Sequence, residues 1–208
     1  LEYPGAIYGQ LREADLNLTL AAKIKTDLEK IGGLPDGSPR FGEAGKAGWR
    51  VLTTRNLTTG EYEPEFATYF EREREQINSF RSRLRAQFAS LLASGDVEPP
   101  NQAVYHNFAP AEVAIRLYGI NRWANDNGVD LTLHIHFNDY PGRRGIPKYR
   151  GFSIYIPERQ LPNARASRDL AEAIQLELKA VMPVSNFPGE VGSPIEDQEL
   201  IAVGANGS

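Results

Sequence analysis

The chain has 208 residues, enough to bury a sizeable core in one domain, and a hydrophobic share of 41% excludes wholesale disorder. With 27 acidic against 23 basic residues the net charge is −4, so no global basic field recruits nucleic acid. The absence of cysteine removes disulfides, thiolate metal sites and cysteine nucleophiles together, and leaves His, Asp and Glu as the available metal ligands.

No signal-peptide pattern stands at Leu1, so an export signal was removed or never present. No apolar run approaches the ~20 residues of a membrane span. From Glu13 to Ile31 the spacing predicts an amphipathic helix, with Leu16, Leu20, Ile24, Leu28 and Ile31 in one stripe and Gly32-Gly33 as its stop. Residues 32–48 are rich in Gly and Pro and read as a loop. Trp49 to Thr54 reads as a short strand ending at Arg55. A long helix is predicted over 64–92, with Phe66, Phe70, Ile77, Phe80, Leu84, Phe88 and Leu91 on its apolar side. The charges from Glu71 to Glu75 form its solvated face, and at 1.5 Å per residue it would extend about 40 Å.

Residues 95–100 break that helix, and another follows from about Pro110, buried through Val113, Leu117, Ile120 and Ala124. Asp130 to Phe137 alternates as a strand, with Leu131, Leu133, Ile135 and Phe137 on one face and His134 and His136 on the other. Arg143-Arg144 sits among Gly and Pro and reads as solvated loop. Gly151 to Ile156 is a further strand closed by Pro157, and Ser167 to Val181 is a helix ended by Pro183. Leu200 to Val203 is a last, weak strand candidate. Helices alternating with short apolar strands predict an α/β layer fold, its mixed or mostly parallel sheet flanked by helices.

Three histidines occur, His106, His134 and His136. The two that share a strand face suit a metal or acid–base site, or equally a polar face covered by a loop. Glu13 begins the first helix, where the macrodipole favours an acid for capping alone.

Five segments taken in order resemble the zinc-dependent N-acetylmuramoyl-L-alanine amidases of the type-3 family. These are Gly5-Ala6-Ile7-Tyr8-Gly9 followed by Glu13 to Leu18, then Leu52-Thr53-Thr54-Arg55, then Arg116 with Asn121 and Ala124-Asn125. Asp130 to Asn138 is similar to the family strand Asp-x-x-x-Ser-Ile-His-x-Asn, and residues 151–156 with the helix 167–178 complete the set. The resemblance implies a zinc ion held by two histidines and a glutamate, with Glu13 and His136 matching two of these ligands. His134 stands at the family's usual serine and is implied as a donor supporting the ligands or as an alternative ligand; Asn138 is implied as a substrate-orienting residue. The family's first histidine motif is expected before Leu1 and its general-base glutamate beyond Ser208, which makes the chain a single amidase-like domain, 1–208, trimmed at both ends.

The implied activity is hydrolysis of the amide between N-acetylmuramic acid and L-alanine of peptidoglycan in the bacterial cell envelope, periplasmic or extracellular. Residues 56–109 read as a helical insertion, a lid or a docking element for a protein activator. Two other readings stand beside it: a non-catalytic envelope protein of amidase fold that binds muropeptide or a partner, and a related zinc carboxypeptidase.

Overall fold

A computed structural model describes residues 5–30, 49–99, 110–138, 145, 148–190 and 192–198. His106, Arg143-Arg144, the loop 32–48 and the strand candidate at 200–203 lie outside the described residues. The chain divides into two compact units, one drawn from residues 1–68 and 133–141 and the other from 69–132 and 142–208.

The first unit starts with a tight antiparallel hairpin of β1 (Ile7–Tyr8) and β2 (Leu11–Arg12), in register Ile7 to Arg12 and Tyr8 to Leu11. Its two-residue turn needs positive φ at the first central position, and Gly9 supplies φ +60° without the Cβ penalty. The chain passes directly into α1 (Glu13–Lys30), whose acidic first turn and terminal Lys30 both complement the helix dipole. None of its 18 residues is fully buried. Its inner side is tied to the following segment by Lys25, whose Nζ donates to the Val51 carbonyl at 3.1 Å. The predicted strand at 49–54 carries no ladder among the described residues; next to it stands an isolated antiparallel bridge from Arg55 to Tyr62. That bridge closes a turn in which Asn56 Oδ1 accepts from the backbone N–H of both Thr58 and Thr59 at 3.0 Å. Arg55 lies 4.0 Å over the Tyr62 ring, which in turn packs against the buried Phe66. Residues 130–137 likewise pair with no described strand, and Leu133 is 56% exposed.

α2 (Pro64–Arg72) carries the chain across the division at Thr68–Tyr69. The single helix predicted over 64–92 is two helices, because Glu73 adopts φ −98°, ψ 12°, outside the helical basin, before α3 (Arg74–Ser94) begins. Its carboxylate there meets Arg72 at 2.8 Å and Arg122 at 3.3 Å, a pairing across the fold that helical periodicity cannot register. Gly95 ends α3 in the left-handed region at φ +79°. α4 (Ala111–Asp126) packs along α3, with Ile115, Tyr118 and Trp123 buried. Gly119 allows this approach: a Cβ there would stand 2.9 Å from the Phe70 ring and 3.3 Å from Ile77 Cδ1.

β3 (Tyr155–Pro157), α5 (Ala164–Lys179) and β4 (Ile195–Asp197) form the unit's second part, in which α5 packs on β3 and the two strands run parallel. A parallel pair requires a crossover, which α5 supplies. Strand pairing reaches Gly151 to Ile156 only at its end, with an isolated parallel bridge from Phe152 to Val184. The described architecture is therefore helices with two two-stranded sheets, one antiparallel and one parallel.

Candidate functional site

Glu13, His134 and His136 all belong to the first unit. Glu13 is fixed by a reciprocal backbone arrangement at the point where the hairpin becomes a helix. Its N–H donates to the Ala6 carbonyl at 2.8 Å, while Ala6 N–H donates back to Glu13 Oε2 at 2.9 Å. The acid predicted to cap α1 thus turns away from its own helix towards the strand before it. Its side chain is 12% exposed.

The other carboxylate oxygen faces residues from far along the sequence. Oε1 lies 3.1 Å from His136 Nδ1 and accepts from the Phe137 backbone N–H at 3.3 Å. Asn17, one helical turn on, brings Nδ2 to 3.5 Å of the same oxygen, and its own Oδ1 is buried without a partner among the described residues. Burial by itself would raise the Glu13 carboxyl. The hydrogen bonds from His136 and Ala6, the imidazole charge and the Phe137 N–H together outweigh it, and the carboxyl titrates below its ordinary value.

The two histidines expected on one face occupy different environments. His136 is open to solvent, with 60% of its side chain exposed. His134 is withdrawn: its Nε2 is buried and unpaired among the described residues. Burial, reinforced by the nearby His136, pushes the His134 imidazole down to about 4. Asn138 is exposed, one residue beyond the Phe137 N–H that reaches Glu13.

An anionic carboxylate oxygen and an imidazole nitrogen in contact can share a proton or hold a cation. Among the described residues no group of three or more His, Cys, Asp and Glu side chains is placed to hold a metal ion. Sequence reasoning missed Ala6 and Asn17 as supports of Glu13; the i,i+4 spacing from Glu13 to Asn17 was the available signal. The same unit exposes Ile7, Tyr8, Leu11, Leu20, Leu133 and Phe137. Comparison with protein-family models, with curated proteins and with solved structures finds no match to the chain.

Proposed function

We propose that the chain belongs to a zinc-dependent amidase that hydrolyses the bond between N-acetylmuramic acid and L-alanine in peptidoglycan. The observation that carries this reading is the 3.1 Å approach of Glu13 Oε1 to His136 Nδ1 across 123 residues of sequence. The resemblance selected the same two residues on independent grounds. Zinc ligands at ~2.0–2.2 Å in a tetrahedral shell stand roughly 3.3–3.5 Å apart, so the pair fits zinc in donor type and nearly in separation. In number it falls short. A catalytic zinc takes three protein ligands, and the described residues offer two.

Bound zinc would supply a Lewis acid and an activated water. The chain's own contribution is to hold an ionised carboxylate at Glu13, through Ala6 and Phe137, against the His136 ring. In that site His134 would serve as a supporting donor, although its Nε2 meets no partner among the described residues, and Asn138 would orient substrate. On this reading the small parallel sheet is part of a larger sheet flanked by helices, the enzyme works in the bacterial cell envelope, and the segment 56–109 is a lid or docks an activator.

The test joins metal analysis to digestion of purified peptidoglycan with the full-length protein. Stoichiometric zinc and new amino termini at alanine are expected, both lost on Glu13→Ala or His136→Ala. Release of carboxy-terminal amino acids instead would establish a zinc carboxypeptidase. The two-donor count favours one other reading, a non-catalytic protein that binds muropeptide; retention of muropeptide without zinc or hydrolysis would establish that one.

A further inference from the structure

We infer that the strand 150–158 pairs along its free edge, antiparallel, with the same edge of a second copy of this chain. The surface lies wholly in the second unit and is independent of the zinc reading.

Successive residues of a strand turn their backbone groups to opposite edges, and here the even-numbered residues fill one edge. Phe152 N–H donates to the Pro183 carbonyl at 3.1 Å, and its own carbonyl accepts from Ser185 at 2.8 Å. The Arg150 carbonyl accepts from Asn186 at 3.2 Å, the Ile154 carbonyl from Ile195 at 2.7 Å, and Glu158 N–H donates to Asp197 at 3.2 Å. Two stretches, 183–186 and 195–197, thus lie one after the other along the same side. Ser153, Tyr155 and Pro157 turn to the opposite side, where no backbone N–H or C=O of theirs meets a partner among the described residues. That edge is short and held firm. Gly151 leaves the extended conformation at φ +106°, Pro157 has no N–H to offer, and the Ser153 and Tyr155 hydroxyls both donate to Glu190, at 3.1 and 3.2 Å.

The order of residues selects a second copy as the occupant. Arg150, Phe152, Ile154, Ile156 and Glu158 share one face, a base and an acid around three apolar side chains, so the run is its own complement when reversed. With a twofold axis at Ile154, Arg150 stands opposite Glu158 of the second copy, Phe152 opposite Ile156, and Ile154 opposite its counterpart. Opposite charges and apolar pairs are the stabilising cross-strand combinations. Parallel pairing in register would set Arg150 against Arg150. The backbone fits the same register: Ser153 faces Tyr155, both N–H groups of each copy find a carbonyl, and Pro157 falls outside the four hydrogen bonds. Arg150 is exposed, and Glu158 Oε1 carries one contact among the described residues, Arg159 Nε at 3.5 Å, which leaves it able to accept from a second base.

The test follows the full-length protein by sedimentation velocity over a range of concentrations, with amide hydrogen exchange at Ser153 and Tyr155. A monomer–dimer equilibrium is expected, with both amides slowed in the dimer and fast in the monomer. Every variant is checked for folding by circular dichroism. Ser153→Pro removes two of the four hydrogen bonds and should be monomeric; Ser153→Ala keeps the N–H, loses only the hydroxyl bond to Glu190, and should still dimerise. Arg150→Glu sets like charges opposite each other twice and should weaken the dimer about tenfold. Disulfide trapping fixes the register. The chain has no cysteine, and the Cα atoms of a non-hydrogen-bonded antiparallel pair stand ~4.5 Å apart, within bonding reach. Ile154→Cys should therefore cross-link on oxidation, whereas Phe152→Cys, roughly 14 Å from its counterpart, should not. Arg150→Glu and the two cysteine variants decide the matter if Ser153→Pro fails to fold. A monomer at every concentration overturns the proposal: protected amides would mean that the protein's own chain covers the edge, and fast exchange that the edge stays open. A dimer that a folded Ser153→Pro leaves intact, or one that Phe152→Cys traps as readily as Ile154→Cys, uses another surface and overturns it too.

Discussion

His134 should make the first unit lose stability as pH falls through and below the range of an ordinary histidine. Its imidazole is held down to about 4 by burial and by the neighbouring His136, against 6.5 for an exposed histidine. Between those values the unfolded chain binds a proton that the folded chain refuses, so stability falls as pH falls. The stabilisation is complete above pH 6.5 and is lost through the window down to 4. From the shift, the loss is about 2 kcal/mol at pH 5 and about 3 kcal/mol at pH 4. Glu13 works in the adjoining range: its folded value is depressed, so its contribution is present above 4.5 and disappears below. The difference between the parent and His134→Leu from pH 7 to pH 5 therefore reports His134. Trp49 lies in the same unit, and its fluorescence in a Trp123→Phe background reports urea unfolding there. With a chelator present to exclude metal-linked protonation, the parent should lose about 2 kcal/mol more than His134→Leu over this range. Parallel pH dependences in the two proteins, or a His134 ring resonance titrating near its unperturbed value, would refute the reasoning.

Two further predictions concern the helical part of the second unit. Gly119→Ala gains about 1 kcal/mol of helix propensity but presses a methyl against Phe70 at 2.9 Å and Ile77 at 3.3 Å, an overpacking cost of about 1–3 kcal/mol. The net effect should be destabilising by about 1 kcal/mol, and less so in an Ile77→Val background, which a thermal-melting double-mutant cycle would detect as non-additivity. Tyr69→Phe removes the hydroxyl that donates to Asp126 at 2.7 Å, and should cost about 1 kcal/mol in urea unfolding, since Asp126 retains Arg122 at 3.6 Å.

The helices were legible because their information is local. α1 and α5 begin and end, and α4 begins, within a few residues of the sequence expectation, but the expected apolar stripes are not the buried faces: α4 buries Ala114, Ile115, Tyr118 and Trp123 rather than Val113, Leu117 and Ile120, and Leu20, Leu170 and Val181 are exposed. The break at Glu73 was not legible: its carboxylate meets Arg122, 49 residues away, at 3.3 Å, a contact that helical periodicity does not carry. Strands fared worse for the same reason. Ile7–Tyr8 and Leu11–Arg12 are too short to show alternation, and Ile195–Asp197 has none. The alternation at 130–137 is real in composition, yet its apolar residues Leu131, Leu133 and Phe137 are exposed and unladdered among the described residues. Spacing could therefore put His134 and His136 two apart, but not foresee that one is buried and the other open. Pairing Glu13 with His136 came from the ordered resemblance rather than from any local pattern.

The contact between those two residues permits one last discrimination. In the metal-free protein Nδ1 faces a carboxylate, which can only accept, so the neutral ring should carry its hydrogen on Nδ1. If Glu13 Oε1 and His136 Nδ1 both bind zinc, that hydrogen must leave and the ring must switch to the Nε2–H form. If zinc binds Nε2 instead, the Nδ1–H bond to Glu13 persists and the carboxylate orients the histidine without touching the metal. Long-range proton–nitrogen correlation spectra of the imidazole, before and after one equivalent of zinc, separate the two. The proposed site predicts that the Nδ1 signal changes from protonated to metal-bound while Nε2 becomes the protonated nitrogen. Persistence of the Nδ1–H signal in the zinc-loaded protein would remove Glu13 from the ligand set. The carboxylate would then be an orienting partner of His136, and the Ala6 hydrogen bond would act on zinc only through that ring.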